Sequence, residues 1–211
     1  MYLKYNRSSI FYQKTTIMKK LLFTLLVLPL LGLSNHALSQ TTKTFMKVSS
    51  SGYAFNGGVT VMGYENQIGV YSYSDGIQGC TSISAGAMAG SGACKPSFSP
   101  FSMLIALSSA VTDFRSAMLQ GKLLNSIDVV QVKTAGGGST AYYKIHMENV
   151  SVSSIQEGSA DESPTISISL NPVKIAWQVI TQNADGSPGP ASSYGWDFSK
   201  NNAFNYHFCL V

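Results

Sequence analysis

The chain has 211 residues, of which 45% are hydrophobic and only 11% charged, well under the roughly 25% of an average soluble protein. With an aromatic share of 11% and no collagen, heptad or repeated apolar-span pattern, this excludes a disordered polyelectrolyte, a collagen, a coiled coil and a multi-span membrane protein. The formal charge of +4 comes from the first 20 residues, where Lys4, Arg7, Lys14, Lys19 and Lys20 lie without an acid; from Gln40 onward nine Lys or Arg face ten Asp or Glu, a difference of −1. A near-neutral body gives a polyanion no electrostatic support, so nucleic acid is not an expected partner.

The leader comes first. Met18-Lys19-Lys20 forms a short positive region, and Leu21 to Leu33 is an apolar run interrupted by Thr24, Pro29 and Gly32. Ala37-Leu38-Ser39 then places small residues where a signal peptidase reads them, leaving Gln40 as the new N-terminus. A buried N-terminal helix would account for the apolar run but not for its flanks. The expectation is a leader over residues 1–39 with a Sec-type signal peptide starting at Met18, and one domain over 40–211. The run is too short to span a bilayer comfortably, so no stable membrane span is expected after cleavage. The implied location is exported, periplasmic or extracellular.

In the body, Phe45 to Ser50 is a strand candidate, and Val59, Val61, Ile68, Val70, Tyr71 and Tyr73 are β-type residues separated by turns at Gly57-Gly58 and Glu65-Asn66. Ser74 to Ser97 is poor in apolar residues and rich in glycine, and reads as one long exposed loop. It contains Cys80 and Cys94; a disulfide between them would close a segment with little else to hold it, and two unpaired thiols are the alternative. Cys209 is left over. There is no CxxC, and His36, His146 and His207 do not cluster with the cysteines, so neither a zinc site nor any other cofactor is expected.

Phe98 to Leu107 is a further strand. Ser109 is expected to cap the one helix, whose apolar residues Ala110, Phe114, Ala117 and Met118 recur at helical spacing up to Gly121. Ser126 to Val132 is a strand, and Ala135 to Ser139 a hairpin turn. In the next strand Tyr143, Ile145 and Met147 are odd, but Val150 and Val152 are even. In the one after it, Ile166, Ile168 and Leu170 are even, but Val173, Ile175, Trp177 and Val179 are odd. Period-2 alternation cannot change phase without an extra residue or a bend, which predicts a bulge or bend near Glu148-Asn149 and another at Asn171-Pro172. Bent strands suit a closed or nearly closed small barrel. Ala184 to Ser193 reads as a loop.

Little of this carries chemistry. Gly136-Gly137-Gly138-Ser139 lacks the lysine of a phosphate loop and opens no helix. His146, opposite in phase to Ile145 and Met147, reads as a surface residue. Asp161-Glu162 reads as a solvated turn, and Trp177 as core. Trp196 follows a loop and would anchor the C-terminal segment or a neighbouring subunit. No nucleophile is paired with a base, so no enzyme is expected and no catalytic residue is assigned.

The order of segments resembles the Hcp family, the tube protein of bacterial type VI secretion systems. The similarity lies in Phe45-Met46-Lys47-Val48, in Pro100-Phe101-Ser102 and in the run from Ala141 to Ile155 (AYYKIHMENVSVSSI). It continues in Pro164 to Trp177 (PTISISLNPVKIAW) and in Gly195-Trp196-Asp197. The resemblance implies a mainly β fold, a small barrel of two sheets with one flanking α-helix. It also implies hexameric rings that stack into a tube whose lumen carries effectors, so the implied partners are other copies of the chain, effectors and other secretion-system proteins. The chain differs from that pattern in its leader, in Ser109-Ala110-Val111 at the helix start and in the length of Ser74 to Ser97. An exported β-barrel binding module of the cell envelope, using Ser74–Ser97 and Trp196, is the alternative reading.

Overall fold

Strands whose residues alternate between apolar and polar pair until their apolar faces are covered, and here they do so in one continuous sheet. The computed structural model describes residues 41–79, 95–135, 138–160, 163–183 and 186–209. The leader, Cys80, Cys94 and Asp161-Glu162 lie outside the described residues. Eight strands run in chain order: β1 (Thr41–Ser49), β2 (Ile68–Gln78), β3 (Ser97–Ala106), β4 (Leu124–Ala135), β5 (Gly138–Ala160), β6 (Ser163–Gln182), β7 (Pro188–Asp197) and β8 (Asn202–Ala203). The helix α1 (Ala110–Leu119) lies between β3 and β4. The spatial order is β3-β2-β1-β4-β5-β6-β7-β8, all antiparallel, with β3 also paired to β6. This last pairing, Phe101–Ala106 against Thr165–Leu170, closes six strands on themselves. The expected barrel of two sheets is thus one sheet whose halves face each other, with β7 and β8 extending past the closure.

The predicted phase changes are present, and they share one row of the sheet. In β4 the buried positions pass from Leu124 to Ile127, in β5 from Met147 to Val150, and in β6 from Leu170 to Ile175. Register is unbroken across this row, from Ser126↔Glu148 to Leu124↔Val150 and from Glu148↔Lys174 to Val150↔Pro172. Three adjacent strands therefore reverse their faces together, which bends the sheet without slipping it. Asn149, at the centre, has φ +53°, a left-handed conformation that asparagine tolerates. A separate bulge falls at Val152/Ser154 in β5. Pro172, with no N–H to donate, sits where β6 leaves β3 and takes β7.

The interior is filled by Met46, Ile68, Phe101, Met103, Ile105, Ile127, Ile145, Met147, Ile166 and Ile168, and α1 closes one side with Val111, Phe114 and Ala117. The Phe114 ring packs at a tilt against Phe55, ring centroids 4.8 Å apart. The helix ends as predicted: Gly121 has φ +63°, its N–H donates to Met118 O, and Lys122 N–H donates to Ala117 O. Its start differs from expectation. Ser109 is helical in backbone, and its hydroxyl donates to Asn56 O at 2.9 Å instead of capping. The loop over residues 53–67 takes over that end of the helix, with Phe55 N–H donating to Asp113 Oδ2 at 2.9 Å and Ala110 N–H to Asn56 O.

Two further expectations change. Ser74–Gln78 continues β2 and pairs with the start of β3, so the long loop is shorter than read. Small residues allow that close pairing: a Cβ on Gly76 would lie 3.3 Å from Ser99 Oγ. Pro188–Ser193 belongs to β7, an edge strand whose exposed, proline-bearing composition imitates a loop. Val59 and Val61 are not in a strand; they pack from the 53–67 loop onto Phe45, Tyr64 and Val132.

Phe114→Ala removes a fully buried ring at the contact between helix and loop. It should cost about 3–5 kcal/mol, read as a lowered urea midpoint by circular dichroism. Gly121→Ala, which keeps all packing but strains a positive φ, should cost about 1 kcal/mol in the same assay.

Candidate functional site

Inner-facing residues of β4, β5 and β6 are consumed by the core, so the side chains free to act are on the outer face. Register places two rows there. Asp128, His146, Ala176 and Gly195 lie side by side across β4 to β7, and Ser126, Glu148, Lys174 and Asp197 form the next row. Such a face would normally meet water. Here it is crossed by residues 204–209, a C-terminal strap that runs from β7 toward β1.

Each alternate strap residue meets a different part of the sheet. Phe204 N–H donates to Gly195 O at 2.9 Å, and Lys174 Nζ lies 4.8 Å from the Phe204 ring centroid. Tyr206 stacks flat on His146, with centroids 3.6 Å apart and planes 6° from parallel. Phe208 packs edge-on against Tyr206 at 4.8 Å. Beyond it, Cys209 O accepts from Lys144 Nζ at 2.7 Å. Gly195 is required for this approach, because a Cβ there would stand 2.4 Å from Phe204 O and 3.0 Å from the Ala176 Cβ.

Charges under the strap are paired. His146 Nδ1 is 2.6 Å from Asp128 Oδ1, and its Nε2 is 3.6 Å from Glu148 Oε1. Lys174 Nζ donates to Glu148 Oε2 at 2.8 Å, and this bond raises the lysine's affinity for its proton. Burial pushes the Lys144 ammonium down from its usual range and the Tyr206 phenol up. His146 is only 4% exposed, which corrects its reading as a surface residue. The strand phase was read correctly, but the outer face is covered by a segment some sixty residues away.

The root of the strap is a turn built on Asp197. Its carboxylate accepts from Ser199 Oγ at 2.5 Å, Ser199 N–H at 2.9 Å and Lys200 N–H at 3.0 Å. The Ser199 hydroxyl, followed by the two backbone donors, holds the carboxyl below its ordinary value of 3.8. Beside the strap is a cavity of about 340 Å³ lined by Lys47, Tyr64, Gln67, Lys144 and Phe208, among others, and the buried Gln67 Oε1 has no hydrogen-bond partner among the described residues.

The other expected residues lie apart from this face. Trp177 packs against the core and donates from Nε1 to Asp75 Oδ2 at 3.3 Å. Tyr194 and Trp196 are cross-strand partners of Trp177 and Ile175, on the opposite face of β7 from Gly195 and Asp197. The buried Trp196 indole N–H has no acceptor among the described residues. Among the described residues no group of three metal-binding side chains occurs, and no helix is long and apolar enough to cross a membrane. The strap itself was missed, although Phe204, Tyr206 and Phe208 carry the period-2 signal of an extended segment with one apolar side.

Tyr206→Ala, which removes the ring stacked on His146, should loosen the strap while leaving the barrel intact. The expected result is cleavage within residues 198–209 by a nonspecific protease accelerated by roughly tenfold, with little change in the urea midpoint. Acid should act on the root. Because the folded pKa of Asp197 lies below its unfolded value, its stabilising contribution is complete above that ordinary value and is lost as pH falls through the folded one. Protease sensitivity of the strap should therefore rise as pH drops from about 5 to about 2, and Asp197→Asn should remove this site's share of the dependence.

The family model described as "Type VI secretion system effector, Hcp" matches residues 45–179. Among solved structures, one described as a type six secretion system protein superposes with a TM-score of 0.67 at 20% identity, covering 78% of this chain and 100% of its own. Hcp1 from Salmonella typhimurium superposes at 0.62 with 17% identity, over 77% of this chain and 99% of its own. A type VI secretion system effector from Yersinia pestis does so at 0.54 with 17% identity, over 73% and 98%. No curated protein sequence matches the chain. The superpositions speak for the fold, and the match over residues 45–179, with the closed bent sheet and the flanking helix α1, places this chain in the Hcp family of type VI secretion proteins.

Proposed function

We propose that the chain is a structural component of type VI secretion that assembles into hexameric rings, which stack and carry effectors in their lumen. Its partners are other copies of itself, effector proteins and other components of the machine, and it acts without enzymatic chemistry. The 1–39 leader is read as a cleaved signal, so the ring former works outside the cytoplasm, in the periplasm or beyond. A disulfide between Cys80 and Cys94 is part of the same reading, since that compartment is oxidising.

The observation that carries this reading is the family match over residues 45–179. The surface supports it. Where β6 and β7 run past the barrel closure, Val179 is 50% exposed and Tyr194 60% exposed, on the face shared with Trp177 and Trp196. Large apolar side chains left on an extended edge ribbon are suited to packing against another protein. A body charge near −1 suits close packing of identical subunits, which would repel one another if strongly charged.

Light scattering coupled to size-exclusion chromatography tests the assembly. The wild-type chain should elute with a mass of about six protomers, and negative-stain images should show rings. Val179→Asp combined with Tyr194→Glu should shift the mass to one protomer while the far-ultraviolet circular dichroism stays unchanged. A wild-type monomer at high concentration would overturn the reading.

A further inference from the structure

We propose that the outer face of the sheet is a receptor groove for the strap of a second copy, so that residues 204–209 are exchanged between neighbouring chains. The proposal rests on the reading that copies associate, and it names the segment that links them.

The groove and strap are complementary in chemistry. Three side chains of the face meet three strap groups: Lys174 lies over the Phe204 ring, His146 stacks flat on the Tyr206 ring, and Lys144 Nζ donates to Cys209 O. The spacing fits as well. Successive strap rings are 6.3 Å and 4.8 Å apart, and the first two meet neighbouring strands, Phe204 at Lys174 of β6 and Tyr206 at His146 of β5. The face thus selects an extended peptide with aromatic residues at alternate positions, which is what every copy carries.

The attachment of the strap to its own chain is slight. β8 contributes two residues, and only Trp196↔Ala203 and Asp197↔Asn202 pair it to β7. Asn201, just before it, has φ +54°, a conformation compatible with a pivot. After Phe204 N–H to Gly195 O, no main-chain to main-chain hydrogen bond holds residues 205–209 among the described residues. The strap is therefore held by side-chain contacts with a groove rather than by its own ladder. A segment held in this way can make the same contacts on a neighbour, which is why exchange of identical elements is a low-cost route to association. Asn205, His207 and Cys209 remain exposed, so the docked strap is not sealed beneath other elements.

Placing a photo-crosslinking residue at Phe208 in the full chain tests the exchange. Irradiation should join chains to one another, and the crosslinked peptide should map to β1, β4 or the 53–67 loop of the second chain. Mixing this chain with a copy truncated after Lys200, which has a groove and no strap, should give crosslinked heterodimers, and Gly195→Val in the truncated copy should reduce their yield at least fivefold. Crosslinks confined to single chains at all concentrations would overturn the proposal. Rings with purely intrachain crosslinks would sink the exchange and leave the ring reading standing. Interchain crosslinks in a species no larger than a dimer would do the opposite.

Discussion

The pairing of β3 with β6 is the constraint on which the rest of the structure depends. A sheet of this length has two edges, and each exposed edge is a template for unwanted pairing. Joining Phe101–Ala106 to Thr165–Leu170 removes one of them by closing six strands into a barrel. It can do so only because the sheet bends, and the bend comes from one row in which β4, β5 and β6 reverse their faces together. Had a single strand reversed alone, its apolar residues would have pointed outward against partners still pointing inward. Once β6 has passed Pro172 it is free of β3, and its remaining length carries β7 as an extension beyond the barrel. The free edge of the molecule is therefore displaced to β7, where the apolar ribbon and the root of the strap both lie.

Closure also decides what the outer face must become. The inner face of β5 is spent on Ile145, Met147 and Val150, so Lys144, His146 and Glu148 are turned out by alternation alone. Left in water they would need no partners. Covered by Phe204, Tyr206 and Phe208 they need them, because a buried charge without a partner is costly. The network answers that need pair by pair: Asp128 with His146, Glu148 with Lys174, and the Cys209 carbonyl with Lys144. Gly195 completes the arrangement by omission, since the strap's first hydrogen bond is made where any side chain would stand.

Much of this was legible in the sequence, and the failures have a common physical origin. Strand positions, the helix, its glycine stop and the phase reversals were readable because each depends on neighbours within a few residues. His146 was read as exposed because periodicity reports which face a residue is on, not whether that face is covered. Its cover, Tyr206, is sixty positions away and joined to it by no local pattern. Ser109 was read as a cap because its residue type suits one, yet Asn56 O competes successfully for its hydroxyl. Pro188 to Ser193 was read as a loop because an edge strand exposed on both faces has no apolar alternation to show. In each case a local preference was correct for the isolated segment and was overridden by a distant partner.

The strap and the 53–67 loop illustrate two ways of covering a sheet, and the difference bears on which of them can move. The loop is bound into the barrel at several points. Gly57 N–H donates to Asn66 O, Asn56 O accepts from Ala110 N–H, and Phe55 is buried against Phe114. A Cβ on Gly57 would lie 2.3 Å from Gln67 O and from the Ile68 Cα, so the two ends of that loop touch backbone to backbone. Releasing it would expose core and break the start of the helix. Among the described residues Phe204, Tyr206 and Phe208 belong to neither core cluster, and removing the strap would uncover the polar row and the edge of the cavity beside Tyr64. The two covers thus differ in what their opening costs: the loop opens only with the barrel, whereas the strap can leave a folded barrel behind. A covering element whose loss does not unfold the protein can be used for contact between molecules, and the strap is the element of this fold that meets that condition at its outer face.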